Sequence, residues 1–251
     1  MVHQLSWRIR LVLIQQSSLA GEEGSNWCMG NAVTTQVYPL LALNIGKVQA
    51  AMYKGKEAKS GIAKSSVEQA VQLTKLGFEG DEQADLVHHG GPDKAICVYS
   101  YDHYLHWEKV LGHRLDYGAF GENFTVERLS ERDVRVGDIY RIGSATVQVS
   151  QPRQPCWKLA MRWGLDELPL LVTNSGATGF YFRVLETGVV HASDELALLQ
   201  SHPHGITVAE ANRVMHQDRD DAEGIRRLLA VDALSESWTT TLTKRLGRLS
   251  G

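Results

Sequence analysis

The sequence predicts a mainly β chain with inserted helices: a closed or partly closed β-barrel followed by a small three-helix module. Three observations carry this expectation. Between residues 37 and 200 the chain is a succession of short apolar stretches cut by glycine. One stretch, residues 145–150, alternates Ala145, Val147 and Val149 with Thr146, Gln148 and Ser150, the period-2 pattern of a half-buried strand. After His202-Pro203-His204-Gly205 the texture turns helical. Many short strands with a few helices between them fit a barrel better than a doubly wound sheet.

Taken in order, residues 45–50 and 95–99 read as strands. Residues 139–142 and 145–150 read as a hairpin, because the two-residue Gly143-Ser144 link suits a II′ turn. Residues 180–186 and 195–199 add two strands, and helices are expected over 101–111, 156–163 and 166–174. In the last part, Thr207 is a plausible N-cap for 208–215, and Asp221 precedes 222–229. Ser235 opens 236–245, which sets Trp238, Leu242 and Leu246 on one face. The division expected is a poorly ordered extension over 1–36, a barrel domain over 37–201 and a helical domain over 205–251. Three short helices resemble a helix-turn-helix reader. Seven Lys/Arg against seven Asp/Glu between Gly205 and Gly251 give no positive surplus for DNA, so a docking or packing module is the better reading.

Composition narrows the function classes. Of 251 residues, 43% are hydrophobic and 22% charged, ordinary globular material. Mean hydropathy is -0.22, and no apolar run nears the roughly 18 residues that span a bilayer, so a channel or transporter is excluded and no membrane partner is expected. A net charge of -3, from 26 Lys+Arg and 29 Asp+Glu, argues against nucleic acid as partner. Three cysteines, Cys28, Cys97 and Cys156, with no CxxC spacing, point to a reducing, cytoplasmic location. Arg8, Arg10 and residues 11–14 imitate a signal peptide, but the apolar run is too short. Residues 21–26 have linker composition, Met29 is an alternative to Met1 as the start, and residues 1–36 are expected to carry at most one loose helical turn. Neither GxGxxG nor a P-loop is present.

Four stretches can carry chemistry. His88-His89-Gly90-Gly91 combines imidazoles with a glycine pair whose amides can form an anion nest. His103 and His106 share a helix face at metal-chelating spacing, without an acidic third ligand nearby. Phe120-Gly121-Glu122-Asn123-Phe124 sets an amide and a carboxylate just before a strand. The most informative is Gln151-Pro152-Arg153-Gln154-Pro155-Cys156-Trp157-Lys158. No acidic residue lies between Asp138 and Asp166, so Arg141, Arg153, Lys158 and Arg162 are uncompensated there. Cys156 follows Pro155 at an expected helix start among these cations, a setting that favours thiolate, and the surrounding charge suits an anionic partner such as phosphate.

These motifs resemble the MOSC-domain family, named for the molybdenum cofactor sulfurase C-terminal region. His89-Gly90-Gly91-Pro92-Asp93-Lys94-Ala95, Phe120-Gly121-Glu122-Asn123, Val136-Gly137-Asp138 and Gln151-Pro152-Arg153-Gln154-Pro155-Cys156 stand in that family's order and spacing, most closely that of the bacterial YiiM group. Gly46-Lys47-Val48-Gln49-Ala50, residues 76–83, and the stretch from Ile206 to Ser237-Trp238, similar to the "3-alpha" domain, extend the likeness over about residues 37–246.

The resemblance implies a MOSC-type β-barrel holding the molybdenum cofactor, a pterin dithiolene with a phosphate. Cys156 then ligates the metal and is the catalytic thiolate. His89, Asn123 and Arg153 surround the pterin and its phosphate, with Gly90, Gly121 and Glu122 in the same cofactor-binding motifs. The extra His88 leaves open which histidine faces the site. YiiM-like members are linked to reduction of N-hydroxylated compounds, including hydroxylaminopurine base analogues. That is a two-electron step no side chain supplies, and pyridoxal phosphate is not required. Arg153 suits a bidentate phosphate contact, and His89 or Glu122 suits proton relay. With no flavin, haem or iron–sulfur motif in the chain, a separate electron-donating reductase, such as a flavoprotein, is implied. Two alternatives stand beside this: a cofactor carrier or sulfur-transfer module using Cys156, and a zinc hydrolase using His88, His89, His103 or His106.

Overall fold

The computed structural model describes residues 35–85 and 90–250. The expected N-terminal extension therefore lies almost wholly outside the described residues, as do Cys28, Met29, His88 and His89. Residues from Val37 onward form one compact unit.

Thirteen strands occur among the described residues: β1 Val37–Ile45, β2 Gln49–Tyr53, β3 Lys56–Ser60, β4 Ser65–Ser66, β5 Val71–Thr74, β6 Gly77–Phe78, β7 Ile96–Ser100, β8 Phe124–Val126, β9 Ile139–Ile142, β10 Ala145–Pro152, β11 Phe180–Glu186, β12 Gly188–Val190 and β13 Glu195–Gln200. Seven of them form a ring in the order β13-β9-β10-β11-β7-β8-β1. Val37, Tyr38 and Pro39 pair with Ala197, Leu196 and Glu195 to close β1 back on β13. Only the β7–β8 contact in the ring is parallel. Closure leaves these strands no open edge, and the interior is filled by Leu43, Val98, Phe124, Tyr140, Val147, Phe182 and Leu196.

The alternation expected in β10 is present, and where it stops is informative. Ala145, Val147 and Val149 are buried and Thr146 and Gln148 half-buried, but Ser150, Gln151 and Pro152 are all buried. There the strand is covered on its outer face: the Ser235 amide donates to the Ser150 carbonyl at 3.0 Å and the Ser237 hydroxyl to Gln151 Oε1 at 3.3 Å. Gly143 has φ 55° and Ser144 is not left-handed, the II′ pattern that matches strand twist.

Six α-helices flank the barrel among the described residues. Three, α1 Tyr104–Leu111, α2 Trp157–Trp163 and α3 Leu168–Ser175, pack around Tyr99 and Phe120 as a second core. The last three, α4 Val208–Asn212, α5 Ala222–Leu229 and α6 Glu236–Leu249, form the C-terminal helical module around Trp238 and Leu242. Their sequence-predicted caps are made. Thr207 accepts from the Glu210 amide, Asp221 from Gly224 and Ser235 from Trp238. Barrel and module share Val136 in one core and are tied by backbone bonds from Val136 to Ile206 and from Val208 to Val134, both 2.9 Å.

Three expectations are corrected. Residues 45–50 are not a strand: Ile45 ends β1, Gln49 begins β2, and the link turns because the Gly46 amide is taken by Asp81 and the Val48 amide by Glu82. A Cβ on Gly46 would sit 2.5 Å from the Ala63 carbonyl oxygen. The helix expected over 101–111 opens as a 3-10 turn over Tyr101–His103, and that expected over 208–215 passes into a π turn over Arg213–Gln217. No described helix is long and apolar enough to cross a membrane.

Candidate active site

The chain leaving β10 turns at Arg153-Gln154-Pro155 and enters α2, whose N-cap is Cys156 in extended conformation. This turn borders a cavity. Arg153, Cys156 and Lys158 line it from one side, Phe120, Gly121 and Asn123 from another, and Cys97, Lys64 and Tyr181 also face it. Cys156 is half-buried. A second, wider cavity between the barrel and the helical module shares Lys94, Gln154, Cys156 and Tyr181 with the first, so Cys156 stands where the two meet.

Arg153 is 6% exposed. Its amide donates to the Gly179 carbonyl at 3.0 Å and its Nη2 to the Phe120 carbonyl at 2.6 Å, while its Nη1 has no hydrogen-bond partner. Burial works against the guanidinium charge, but the ionisable Cys97, Tyr181, Cys156 and Glu122 around it outweigh burial and hold its pKa above the ordinary value. A buried cation with an unsatisfied donor is costly, and it marks a place for an anion. Lys158, 8% exposed, adds a second cation. The four uncompensated charges of the sequence thus separate. Arg153 and Lys158 face the cavity, Arg162 Nη1 is bound to the Ile62 carbonyl, and Arg141 is exposed on β9.

Gly121-Glu122-Asn123 does structural work. Glu122 is fully buried and does not line the cavity. Its oxygens accept from the Tyr104 hydroxyl, the Gly118 amide (3.0 Å), the Phe120 amide (2.9 Å) and the Thr125 hydroxyl (2.9 Å). Asn123 borders the cavity, yet its Nδ2 donates to the Asn44 carbonyl and to Asp81 Oδ2, and its Oδ1 accepts from the Cys97 amide. Both residues shape the wall, and their hydrogen bonds are spent within the fold. Gly121 has φ 79°, and a Cβ there would lie 2.7 Å from Ile62 Cγ1, so glycine keeps this wall open.

The histidine pair gives no metal centre. His103 Nε2 bonds Glu131 at 2.7 Å, and His106 lies edge-on to Trp107. Among the described residues no cluster of three His, Cys, Asp or Glu side chains is placed to hold a metal ion.

Residues 85–197 match the MOSC domain, and residues 206–248 match the YiiM-like 3-alpha helix domain. The chain is 42% identical over 209 residues to Protein YiiM of Escherichia coli (strain K12), covering 82% of this chain and 91% of that protein. It belongs to the YiiM group of MOSC-domain proteins. The crystal structure of YiiM from Geobacillus stearothermophilus is similar at TM-score 0.72 and 37% identity, over 83% of this chain and 99% of that one. A protein of Gibberella moniliformis named Reductase is 31% identical over 191 residues, covering 74% of this chain and 34% of its own longer one.

Within this YiiM-type barrel the predicted site residues sort by position. Cys156, Arg153, Gly121 and Asn123 share one cavity. Glu122 is turned into the core, and Gly90 does not line either cavity. His89 lies outside the described residues. Three lining residues escaped sequence reasoning. Lys158 stands in the sequence as one cation among four, and Tyr181 lies inside the strand expected over 180–186. Cys97, inside the strand expected over 95–99, borders the cavity too, where burial pushes its thiol up to about 11. The parity of β7 and β11 would have placed Cys97 and Tyr181 together, since the two are paired in register.

Proposed function

We propose that this chain is a molybdenum-cofactor-dependent oxidoreductase that removes oxygen from N-hydroxylated compounds of the hydroxylaminopurine type. One observation carries the reading: a half-buried thiol, Cys156, shares a cavity with a buried guanidinium whose Nη1 is unpartnered. A pterin dithiolene with a phosphate needs a soft ligand for its metal and fixed cations for its anion, and Cys156, Arg153 and Lys158 are of those types. Bound there, the cofactor supplies the two-electron chemistry of N–OH reduction.

The chain's own residues hold and orient. Arg153 is fixed through Phe120 and Gly179, which leaves Nη1 to donate to a phosphate oxygen without reorganisation. Gly121 keeps the wall clear. Since the oxygens of Glu122 are engaged by four donors, proton delivery falls to His89 rather than Glu122. Electrons come from a separate reductase of the flavoprotein type, and the reaction belongs in the cytosol. The fungal relative named a reductase, in which the similar segment is a third of a longer protein, supports both the activity and a division of labour with further protein.

The test is the molybdenum and pterin content of protein made in a cofactor-competent host, joined to a reductase-coupled assay on hydroxylaminopurine. We expect both components near one per chain, and turnover. Arg153→Ala should lower bound pterin while circular dichroism shows a folded chain. Full loading without turnover would make the protein a carrier or sulfur-transfer module; zinc in place of molybdenum would overturn the reading.

A further inference from the structure

One element reaches the cavity wall without belonging to the barrel. Among the described residues β2 and β3 pair only with each other, and their tip, Lys54-Gly55, has φ 51° and 76°, the I′ pattern of a tight, twisted ribbon. On one face of the ribbon Ala50, Met52, Glu57 and Lys59 are all exposed. The register sets Tyr53, Ala51, Ala58 and Ser60 on the other face. The only strand residues of the ribbon that are not exposed, Tyr53, Ala58 and Ser60, all lie there, so this face is turned toward the protein. At the foot, Ser60 and the following Gly61 and Ile62 form part of the wall of the Cys156 cavity. The foot is fastened: the Gly46 amide donates to Asp81 at 2.8 Å and the Val48 amide to Glu82 at 2.9 Å, and a Cβ on Gly61 would meet the Glu82 carbonyl oxygen. At the tip, the Tyr53 ring stacks on Trp157, the residue after Cys156, with centroids 5.6 Å apart. The Tyr53 hydroxyl donates to Asp166 Oδ1 at 3.0 Å, and Lys54 pairs with Asp166 Oδ2 at 3.0 Å. Between foot and tip Ala51 stays exposed although it lies on the inward face, so the ribbon bridges its two supports instead of packing along its length. The supports are unequal. The tip rests on solvent-exposed contacts, and exposed ion pairs stabilise little. A segment with few buried contacts and a weak anchor at one end is the kind that opens while the rest stays folded.

We propose that the β2–β3 hairpin is a lid on the Cys156 cavity, hinged at its foot and latched at its tip by Tyr53 and Lys54 on Trp157 and Asp166. Opening lifts the tip off the start of α2 and clears the approach to Cys156, and closing seats Tyr53 beside it. Tyr53, Lys54 and Asp166 line neither cavity, so they act on the lid and not on what it covers. The inference rests on the molybdenum-cofactor reading only for what the lid retains; the motion itself is read at the thiol.

The experiment times the modification of Cys156 in the full-length, cofactor-free chain by two reagents of one chemistry and different size, N-ethylmaleimide and fluorescein maleimide, followed by peptide mass spectrometry. The ratio of the large reagent's rate to the small one's reads access and cancels changes in thiol reactivity. Tyr53→Ala should raise that ratio about tenfold, the scale of an aromatic stack with its hydrogen bond, at an unchanged melting temperature. Tyr53→Phe keeps the stack, loses the bond to Asp166 and should fall between wild type and Tyr53→Ala. Asp166→Ala releases Lys54 and the Tyr53 hydroxyl together and should raise the ratio about threefold. Loaded with molybdenum cofactor to the same level as wild type, Tyr53→Ala should release pterin about tenfold faster. An unchanged ratio in Tyr53→Ala, an equal rise with both reagents, or a raised ratio with pterin released at the wild-type rate would overturn the lid. Absence of bound pterin from the wild type would overturn the cofactor reading and leave the labelling ratio to decide the lid.

Discussion

Two thiols border one cavity, and their surroundings separate their roles. Cys97 lies in β7 with its amide on Asn123 and its thiol pushed up to about 11 by burial, so it is a neutral group at any working pH. Cys156 is half-buried at the mouth shared by both cavities. Cys156→Ser replaces a soft ligand with a hard hydroxyl of similar size and should abolish N-hydroxy reduction at matched molybdenum loading. Cys97→Ala should cost about 1 kcal/mol in urea unfolding and retain turnover. Normal activity in Cys156→Ser would remove it from the metal. Gly121 makes a different demand. At φ 79° and with Ile62 Cγ1 2.7 Å from any added Cβ, Gly121→Ala is expected to lower the melting temperature and the bound pterin together. Loss of pterin at an unchanged melting temperature would mean that the glycine acts only through cavity shape.

At the level of elements, capping chemistry is local, and it was legible. Thr207, Asp221 and Ser235 each bond an amide three residues on. Thr207→Ala should therefore cost about 1 kcal/mol in unfolding free energy, and Thr207→Gly less than that; equal costs would show that the threonine methyl packing dominates. The β9–β10 hairpin was legible for the same reason, since its Gly143-Ser144 turn and its alternation are written in adjacent residues. The β2–β3 hairpin was not. Gln49, Ala50, Ala51 and Met52 are all exposed, so no buried face imposes a period on the sequence. Its tip is fixed by partners far along the chain, through the stack of Tyr53 on Trp157 and the bond of Tyr53 to Asp166 at 3.0 Å. Of the site, the Arg153–Cys156 turn stood out as cations without acids. Which cation faces the cavity depends on the Phe120 carbonyl, 33 residues away.

Across the whole molecule, Glu131 is the point where barrel, helices and site are tied. Its Oε1 accepts from the Gly179 amide at 2.6 Å, its Oε2 faces His103 Nε2 at 2.7 Å, and its carbonyl accepts from Ala209 of α4 at 2.8 Å. Gly179 in turn holds Arg153. Burial opposes a charge on His103, but the hydrogen bond and charge of Glu131, helped by Asp102 and against Arg132, outweigh it and raise its pKa above 6.5. His216 in the helical module behaves oppositely, for burial first and then Arg245 and Arg219 lower its pKa below 6.5. The signs follow from proton linkage. Protonated His103 stabilises the fold fully below pH 6.5, and that contribution is lost as pH rises through its folded value. Neutral His216 stabilises the fold above 6.5, and that contribution is lost as pH falls through its folded value. Their summed contribution is therefore greatest near pH 6.5 and falls on both sides, before the carboxylates titrate in acid. Unfolding free energies from urea titrations across this range, compared between wild type and variants, isolate each limb. Glu131→Gln keeps an acceptor for Gly179 but no charge for His103, and should flatten the fall above pH 6.5. His216→Leu should flatten the fall below it. A decline above pH 6.5 that survives in Glu131→Gln would place its origin outside this pair.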